Sequence, residues 1–137
     1  MNVIDQQIDA FFEGLFPDQE LRSWMLKVLA DIYIHHNIDE NIYVWVGAGG
    51  NGKSTLKILM DLAFPDAPKP ESALHIIMNS VPSIKVIPFV GRFGGQDRIS
   101  NETLASWVPR LQERLRSVAA NIEHDGLGPD PEALIRP

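Results

Sequence analysis

Apolar residues near the start of the chain recur at three- and four-residue steps, which is the spacing of one face of an α-helix. The first segment with this pattern covers residues 3–15, and Gly14 and Pro17 mark its end. Asp18 follows, and its carboxylate can accept hydrogen bonds from free backbone amides, so it predicts the N-cap of a second helix. We expect this second helix to run to about His36. Its apolar face consists of Leu21, Met25, Val28, Leu29 and Ile32.

Short segments in the middle of the chain carry the β-branched and aromatic residues that are typical of strands. They are IYVWV at 42–46, ALHIIM at 73–78 and IKVIPF at 84–89. The first is too short for a buried helix, so it predicts a buried strand. A helical pattern follows it, and the proline-rich stretch FPDAPKP ends that helix. The inner face of the helix consists of Leu56, Leu59, Met60 and Ala63.

The longest helical pattern lies near the C-terminus, over residues 101–124. Asn101 is expected to cap its N-terminus, and Pro109 is expected to kink it or to start its second half. The tail HDGLGPDPEALIRP is rich in turn-forming residues, so we expect it to be only partly ordered. The apolar positions of the helix are Leu104, Trp107, Val108, Leu111, Leu115, Val118 and Ile122.

Length and composition limit the classes of protein that remain open. The chain has 137 residues, 45% of them apolar, which suits one modest domain with a core. A net charge of -6 argues against a broadly basic protein that coats nucleic acid. The absence of cysteine excludes disulfides, thiolate catalysis and cysteine-ligated zinc. The start MNVIDQQIDAFF does not resemble a signal peptide, and no apolar run approaches the roughly 20 residues of a membrane span. We therefore expect a soluble, intracellular protein of the cytoplasm of a host or bacterium, not associated with membranes.

The clearest chemical signal is the phosphate-loop motif G-x-x-x-x-G-K-[ST], which lies between the first predicted strand and the helix after it. Its glycines allow several backbone N–H groups to point at phosphate oxygens, and the helix N-terminus adds partial positive charge. Lys53 would reach the β- and γ-phosphates of ATP, and the Ser54 hydroxyl would ligate Mg²⁺. A chance glycine-rich turn is disfavoured, because strand, loop, lysine, serine and helix stand in the required order. The predicted nucleotide-binding residues are Gly47, Ala48, Gly49, Gly50, Asn51, Gly52, Lys53, Ser54 and Thr55.

Phosphate binding alone does not give hydrolysis. Enzymes with such a loop also use a carboxylate at the end of a neighbouring strand to hold Mg²⁺ and polarise water. None of the acidic residues after Ser54 follows a strand-like run. The segment LHIIMN ends in Asn79, which is a neutral ligand, and KVIPF leads to Gly91 and Arg92. The chain thus has the phosphate-binding loop without the usual acid.

Five segments in order resemble superfamily 3 helicases, in the branch of poxvirus-type and phage- or plasmid-type primase–helicases. The resemblance covers about residues 15–134. The segments are LFPDQELRSWMLKVLADIY, GAGGNGKSTL, HIIMNSVPSI, KVIPFVGRF and ASWVPRLQERLRSVAANIEHDGLGPDPEAL.

This resemblance implies an α/β fold: a reduced, AAA+-like P-loop NTPase domain with a small sheet flanked by N- and C-terminal helices. Residues 1–40 would form a helical lead-in, 41–90 the nucleotide-binding core and 101–124 the C-terminal helix of a single domain. It also implies binding of ATP with Mg²⁺, contact with single-stranded or forked DNA, and a homo-oligomer, a hexameric ring. Asn79 would be the polar sensor, and Arg92 is the candidate arginine finger.

The chain also departs from that pattern. DLAFPDAPKPESA is too short to hold the acidic strand and the DNA-contacting hairpin that the resemblance leads us to expect. The expected arginine pair before KVIPF is absent, with Lys85 close to its place. Two functions stay open: an ATP-binding helicase module completed by another subunit or partner, and a nucleotide-binding remnant without hydrolysis or unwinding. A small-molecule kinase or another unrelated phosphate-loop protein lacks support, because no lid-like arginine segment or substrate motif is visible.

The remaining aromatic and charged residues have structural as well as functional interpretations. The tryptophans could stack on bases, but their periodicity favours the core, with Trp24 flanking the apolar face of its helix. Lys85, Arg92 and Arg98 fit either DNA contacts or a solvated loop. Arg110, Glu113 and Arg114 are expected on an exposed helix face. The four histidines are not expected to form a metal site. The tryptophans are Trp24, Trp45 and Trp107, and the histidines are His35, His36, His75 and His124.

Overall fold

The computed structural model describes residues 2–35, 41–47, 52–67, 83–89 and 99–135. The predicted strand at 73–78 lies outside these ranges. The order of elements within them is α1 (Val3–Leu15), α2 (Gln19–Tyr33), β1 (Ile42–Val46), α3 (Lys53–Ala63), β2 (Ile84–Pro88) and α4 (Asn101–Asp125). The predicted helices and two of the predicted strands are therefore confirmed.

The first two helices begin at side-chain caps. The Asn2 carboxamide oxygen accepts a hydrogen bond from the Ile4 amide at 2.7 Å, and the Asp18 carboxylate accepts one from the Leu21 amide at 2.8 Å. Each bond satisfies one of the amides that a helix leaves without an acceptor in its first turn. The prediction for Asp18 is confirmed, whereas α2 ends at Tyr33 and does not continue to His36.

The predicted cap of α4 was wrong by one residue. Ser100 is the N-cap, and its hydroxyl oxygen accepts a hydrogen bond from the Thr103 amide at 3.1 Å, while Asn101 is the first helical residue. Both residue types are good caps, so local chemistry did not separate them. The helix runs through Pro109 as one element of 25 residues, so Pro109 does not start a second helix.

The core lies mainly among the four helices. Trp24 and Trp107 are 4% and 3% exposed, which confirms their place in the core and corrects the expectation that Trp24 would only flank it. Trp45 is partly buried and packs against the same core. The Trp107 ring nitrogen donates a hydrogen bond to the Gln7 side chain at 2.9 Å, so a polar contact also joins α4 to α1.

The two described strands are parallel, with Ile42 opposite Ile84 and Val46 opposite Pro88. The Ile42 amide donates to the Ser83 carbonyl at 2.8 Å, and the Phe89 amide donates to the Val46 carbonyl at 2.7 Å. Hydrogen-bonding direction alternates along a strand, so Ile84, Val86 and Pro88 direct their backbone groups away from β1. Proline has no backbone N–H. Because Pro88 directs its backbone away from β1, the missing N–H removes no hydrogen bond between β1 and β2.

The strand β1 is less buried than its sequence predicts. Tyr43 and Trp45 pack against the core, with ring centroids 6.4 Å from that of Trp24 and 5.2 Å from that of Phe89 respectively. Val44 points to the opposite face and is 40% exposed. The expectation of a fully buried strand was therefore wrong for the described structure, because the helices cover only one face of the sheet there.

The C-terminal tail is more ordered than predicted through residue 135. Leu134 is 6% exposed, and the Ile135 amide donates to the Val86 carbonyl at 3.2 Å. Lys85 does not face solvent, since its ammonium lies 2.7 Å from the Asp130 carboxylate and its side chain is 18% exposed. The tail therefore packs along β2.

One predicted exposed face contains ion pairs that join helices. The Arg114 guanidinium lies 2.7 Å from the Asp9 carboxylate and 3.6 Å from that of Asp5, which links α4 to α1. The Arg114 side chain is only 26% exposed, so its placement on a solvated face was wrong, while Arg110 remains 45% exposed. No helix within the described ranges is long and apolar enough to cross a membrane.

Candidate phosphate-binding site

The predicted phosphate loop connects β1 to α3. β1 ends at Val46, and α3 begins at Lys53, so the motif follows the carboxyl end of a strand in a parallel pair. In α/β proteins with parallel sheets, ligands bind outside this end of the strands. Gly47, Gly52, Lys53, Ser54 and Thr55 belong to the described residues.

The N-terminus of α3 is built around Gly52. This glycine has φ 86° and ψ 3°, a left-handed conformation that a residue without a Cβ adopts at little cost. Its carbonyl accepts the first hydrogen bond of the helix, from the Leu56 amide at 2.9 Å. Gly52 offers no side-chain oxygen to the first turn. The first amides of a helix have no acceptor within the helix itself, and Gly52 supplies no side-chain acceptor for them.

The Lys53 side chain connects the two ends of the predicted loop. Its ammonium donates a hydrogen bond to the Gly47 carbonyl at 2.8 Å, from the first residue of α3 back to the residue after β1. The cation thus lies beside the loop that the motif assigns to phosphate. Ser54 is exposed and Thr55 is half-buried. Lysine ammonium and helix N-terminal amides are groups that bind phosphate oxygens.

Helix α3, which begins at Lys53, is held by its buried face and by a contact with α4. The predicted inner face is confirmed, since Leu56, Leu59 and Met60 are fully buried and Ala63 is 2% exposed. The Gln112 side chain on α4 donates to the Ala63 carbonyl at 2.7 Å, which satisfies an otherwise free carbonyl in the last turn of α3. These contacts set the direction in which the N-terminus of α3 points.

The carboxyl end of β2 is held next to the loop. The bond from the Phe89 amide to the Val46 carbonyl joins the two strand ends, and the Phe89 ring packs 4.8 Å from that of Phe16. The residues that follow the two strands are Gly47 and Phe89, so neither described strand ends in a carboxylate.

The remaining predicted site residues lie outside the described residues, so the structure brings together only the two ends of the loop. Among the residues that are described, no group of histidine and carboxylate side chains could hold a metal ion. The role of Ser54 as a Mg²⁺ ligand stays a prediction. The site residues outside the described ranges are Ala48, Gly49, Gly50, Asn51, Asn79 and Arg92.

Sequence reasoning missed one charged residue near this sheet. Asp130 pairs with Lys85 although it lies in a segment that was expected to be only partly ordered. The only local signal for an ordered Asp130 is the segment PEALI that follows it, in which apolar residues stand next to a proline. This segment has neither helical nor strand periodicity.

Comparison with known proteins finds partial similarity to viral proteins. The chain is 35% identical over 54 residues to "Putative helicase 184R" of Invertebrate iridescent virus 6, which covers 39% of this chain and 6% of that protein. It is 34% identical over 65 residues to "Putative helicase L207/L206" of Acanthamoeba polyphaga mimivirus, covering 47% and 7%. With "Putative helicase 022R" of Frog virus 3 it shares 35% over 52 residues, covering 38% and 5%.

No family model and no solved structure matches the chain. The similar segments are short, and the matches span only 5% to 7% of the length of these relatives. Parts of this chain are therefore related to viral proteins that carry a helicase name.

Proposed function

We propose that the chain is an ATP-binding, helicase-like module that holds the phosphates of Mg-ATP on residues 47–55. The observation that carries this proposal is the contact between the Lys53 ammonium and the Gly47 carbonyl at 2.8 Å, at the carboxyl end of a parallel strand pair. An incoming phosphate would compete with that carbonyl for the ammonium. It would also accept hydrogen bonds from the first-turn amides of α3.

The finer assignment is to the superfamily 3 branch of viral, phage or plasmid-type primase–helicases. It rests on the ordered sequence segments, with the partial similarity to viral proteins as support. In this proposal the fold is a reduced, AAA+-like P-loop NTPase domain. The complete machine would act on single-stranded or forked DNA as a hexameric ring, and other subunits or partners would supply the missing acid and arginine.

Nucleotide binding is tested by substituting the lysine of the loop. Lys53→Ala removes a charge-assisted phosphate contact worth about 1.5–3 kcal/mol, which corresponds to roughly 10- to 150-fold weaker binding of a labelled ATP. Lys57→Ala is the matched control, because Lys57 lies on the same helix and pairs with the exposed Asp61 at 2.7 Å. We expect the control to bind with the affinity of the unsubstituted chain.

Equal affinities of the unsubstituted chain and Lys53→Ala would contradict the proposal. So would a similar loss in Lys53→Ala and Lys57→Ala, because that result would indicate general electrostatic attraction. Circular dichroism of all three proteins shows whether each retains its helices.

A second candidate is a nucleotide-binding remnant that does not hydrolyse ATP or unwind DNA. It is favoured by the ends of the two described strands, where Gly47 and Phe89 stand in place of a carboxylate. Catalysis of phosphoryl transfer depends on metal, a water-positioning group and an arginine finger, and the finger alone contributes about 10³–10⁵ in rate. A binding loop without them positions phosphate and does little more.

We therefore expect the isolated chain to bind ATP and release phosphate very slowly or not at all. The measurement is steady-state phosphate release by the purified chain with and without single-stranded DNA. Turnover on the order of 1 s⁻¹ that disappears in Lys53→Ala would overturn this expectation. It would direct attention to Glu71 and Asp97, which lie outside the described residues, as the acid.

A further inference from the structure

Four elements meet around the side chain of Lys85. Its ammonium forms the ion pair with Asp130 and lies 6.0 Å from the centre of the Trp24 ring. The Trp24 ring in turn packs edge-on against Tyr43, with 6.4 Å between centroids. Helix α2, both strands and the C-terminal tail therefore share one cluster of contacts.

Residues 127–135 form what we call the C-terminal strap. Leu127 packs against the core, and Pro131 and Leu134 are buried. At its end the Ile135 amide bonds to the Val86 carbonyl, on the edge of β2 that faces away from β1. The strap thus holds β2 by an ion pair at one residue and by a backbone bond at the next.

β2 is also the strand that fixes the start of the phosphate loop. Its end bonds to the Val46 carbonyl through the Phe89 amide, and Gly47 follows Val46 directly. The path from the strap to Gly47 therefore consists of Lys85, the short strand β2 and one hydrogen bond. A shift of β2 along β1 would move the carbonyl to which Lys53 bonds.

We propose that the Lys85–Asp130 ion pair is a latch, a contact through which the C-terminal strap positions Gly47 at the start of the predicted phosphate loop. Asp130 is then a positioning residue that acts on the nucleotide through β2. This inference rests on the proposed nucleotide binding. Asp130 and Lys85 are 17% and 18% exposed, so removing one partner leaves the other charge largely buried and removes one of the two contacts described between the strap and β2.

The control is another ion pair of the same length. Asp9 and Arg114 are also 2.7 Å apart, but they join two helices, α1 and α4, and Asp9 is 43% exposed. Asp130→Asn and Asp9→Asn remove one carboxylate charge each, and Asp130→Glu retains the charge at the strap. Leu134→Ala, at a strap residue that is 6% exposed, weakens the packing of the strap without leaving a charge unpaired, so it serves if Asp130→Asn does not fold.

Two readouts are measured for each variant: the affinity for labelled ATP and the hydrogen-exchange rate of the Phe89 amide. We expect Asp130→Asn to bind ATP at least about fivefold more weakly, in the range of ordinary site-to-site coupling, and to exchange Phe89 faster. Asp9→Asn should leave both unchanged, and Asp130→Glu should restore most of the affinity. Unchanged affinity and exchange in Asp130→Asn would overturn the latch, as would equal effects of Asp9→Asn.

The two proposals fail separately. If the unsubstituted chain binds no nucleotide, the proposed function is wrong. The latch is then tested by the hydrogen-exchange rate of the Phe89 amide alone. Faster exchange in Asp130→Asn than in Asp9→Asn supports the hold on β2, whereas equal rates overturn it.

Discussion

Tyr33 shows how a single side chain can report on the packing of α2 against α3. Its ring lies 6.0 Å from that of Phe64, at the end of α3. Burial, and secondarily the negative charge of Asp61, raises the pKa of Tyr33 to about 12 from its usual 10.0. The fold therefore favours the neutral phenol.

The raised pKa gives a stability that depends on pH. Below pH 10 the phenol is neutral in both the folded and the unfolded chain, so its contribution is fully present. Between pH 10 and about 12 the unfolded chain loses this proton first, and stability falls. We expect Tyr33→Phe to remove that part of the loss, measured as the urea unfolding free energy at pH 9 and pH 11. Equal pH slopes in the two proteins would contradict the assignment.

At the residue scale, the sequence located positions that depend on near neighbours in the chain. Gly52 and Lys53 lie at the start of α3, as the order of strand, loop and helix predicts, while their binding of phosphate stays a prediction. Lys85 and Arg114 were misplaced because their partners lie 45 and 105 residues away. Spacing within one helix or strand carries no information about such pairs.

The start of α4 allows a direct test at the scale of one element. Ser100→Ala removes the oxygen that accepts from the Thr103 amide and should cost about 0.5–2 kcal/mol of stability. Asn101→Ala, one residue later, lies inside the first turn, where alanine is a better helix former. We expect it to be neutral or slightly stabilising in urea denaturation. A larger loss of stability in Asn101→Ala than in Ser100→Ala would show that Asn101 is the N-cap.

The positions of the helices and strands were predicted better than the contacts that surround them. Periodicity located α1, α2, α3 and α4, because each buries a continuous apolar face and the period of that face is visible without partners. The segments at 42–46 and 84–89 were located as strands from their β-branched and aromatic residues, but their pairing in parallel was not predicted. The strap was not predicted, because its few apolar residues stand among prolines and gain order only from contacts with β2 and the core.

At the scale of the whole molecule, α4 joins the helical core to the candidate site. It packs against α1, α2 and α3, and the Gln112 contact ties it to the end of the helix that begins with Lys53. Its buried residues are Leu104, Trp107, Leu111, Leu115, Ala119 and Ile122. The sequence indicated this apolar face, but not which helices would share it.

The outer face of the two described strands is partly exposed. One face packs on the helices, while the side chains of the other face are all apolar. Val44 and Ile84 on that face are 40% and 45% exposed. Parallel sheets are normally covered on both faces, and exposed apolar patches mark places of association. Ile42, Val46 and Val86 on the same face are half-buried, and Pro88 is buried.

We therefore expect the isolated chain to self-associate through this face. Sedimentation velocity over a concentration series should show an average mass that rises with concentration. Val44→Thr keeps a β-branched residue in the strand while adding a hydroxyl to the outer face, so it should lower that rise. Val3→Thr makes the same change on α1, at a residue that is 66% exposed, and should have no effect. A monomer at every concentration, or an equal effect of the two substitutions, would show that the uncovered sheet face does not drive association.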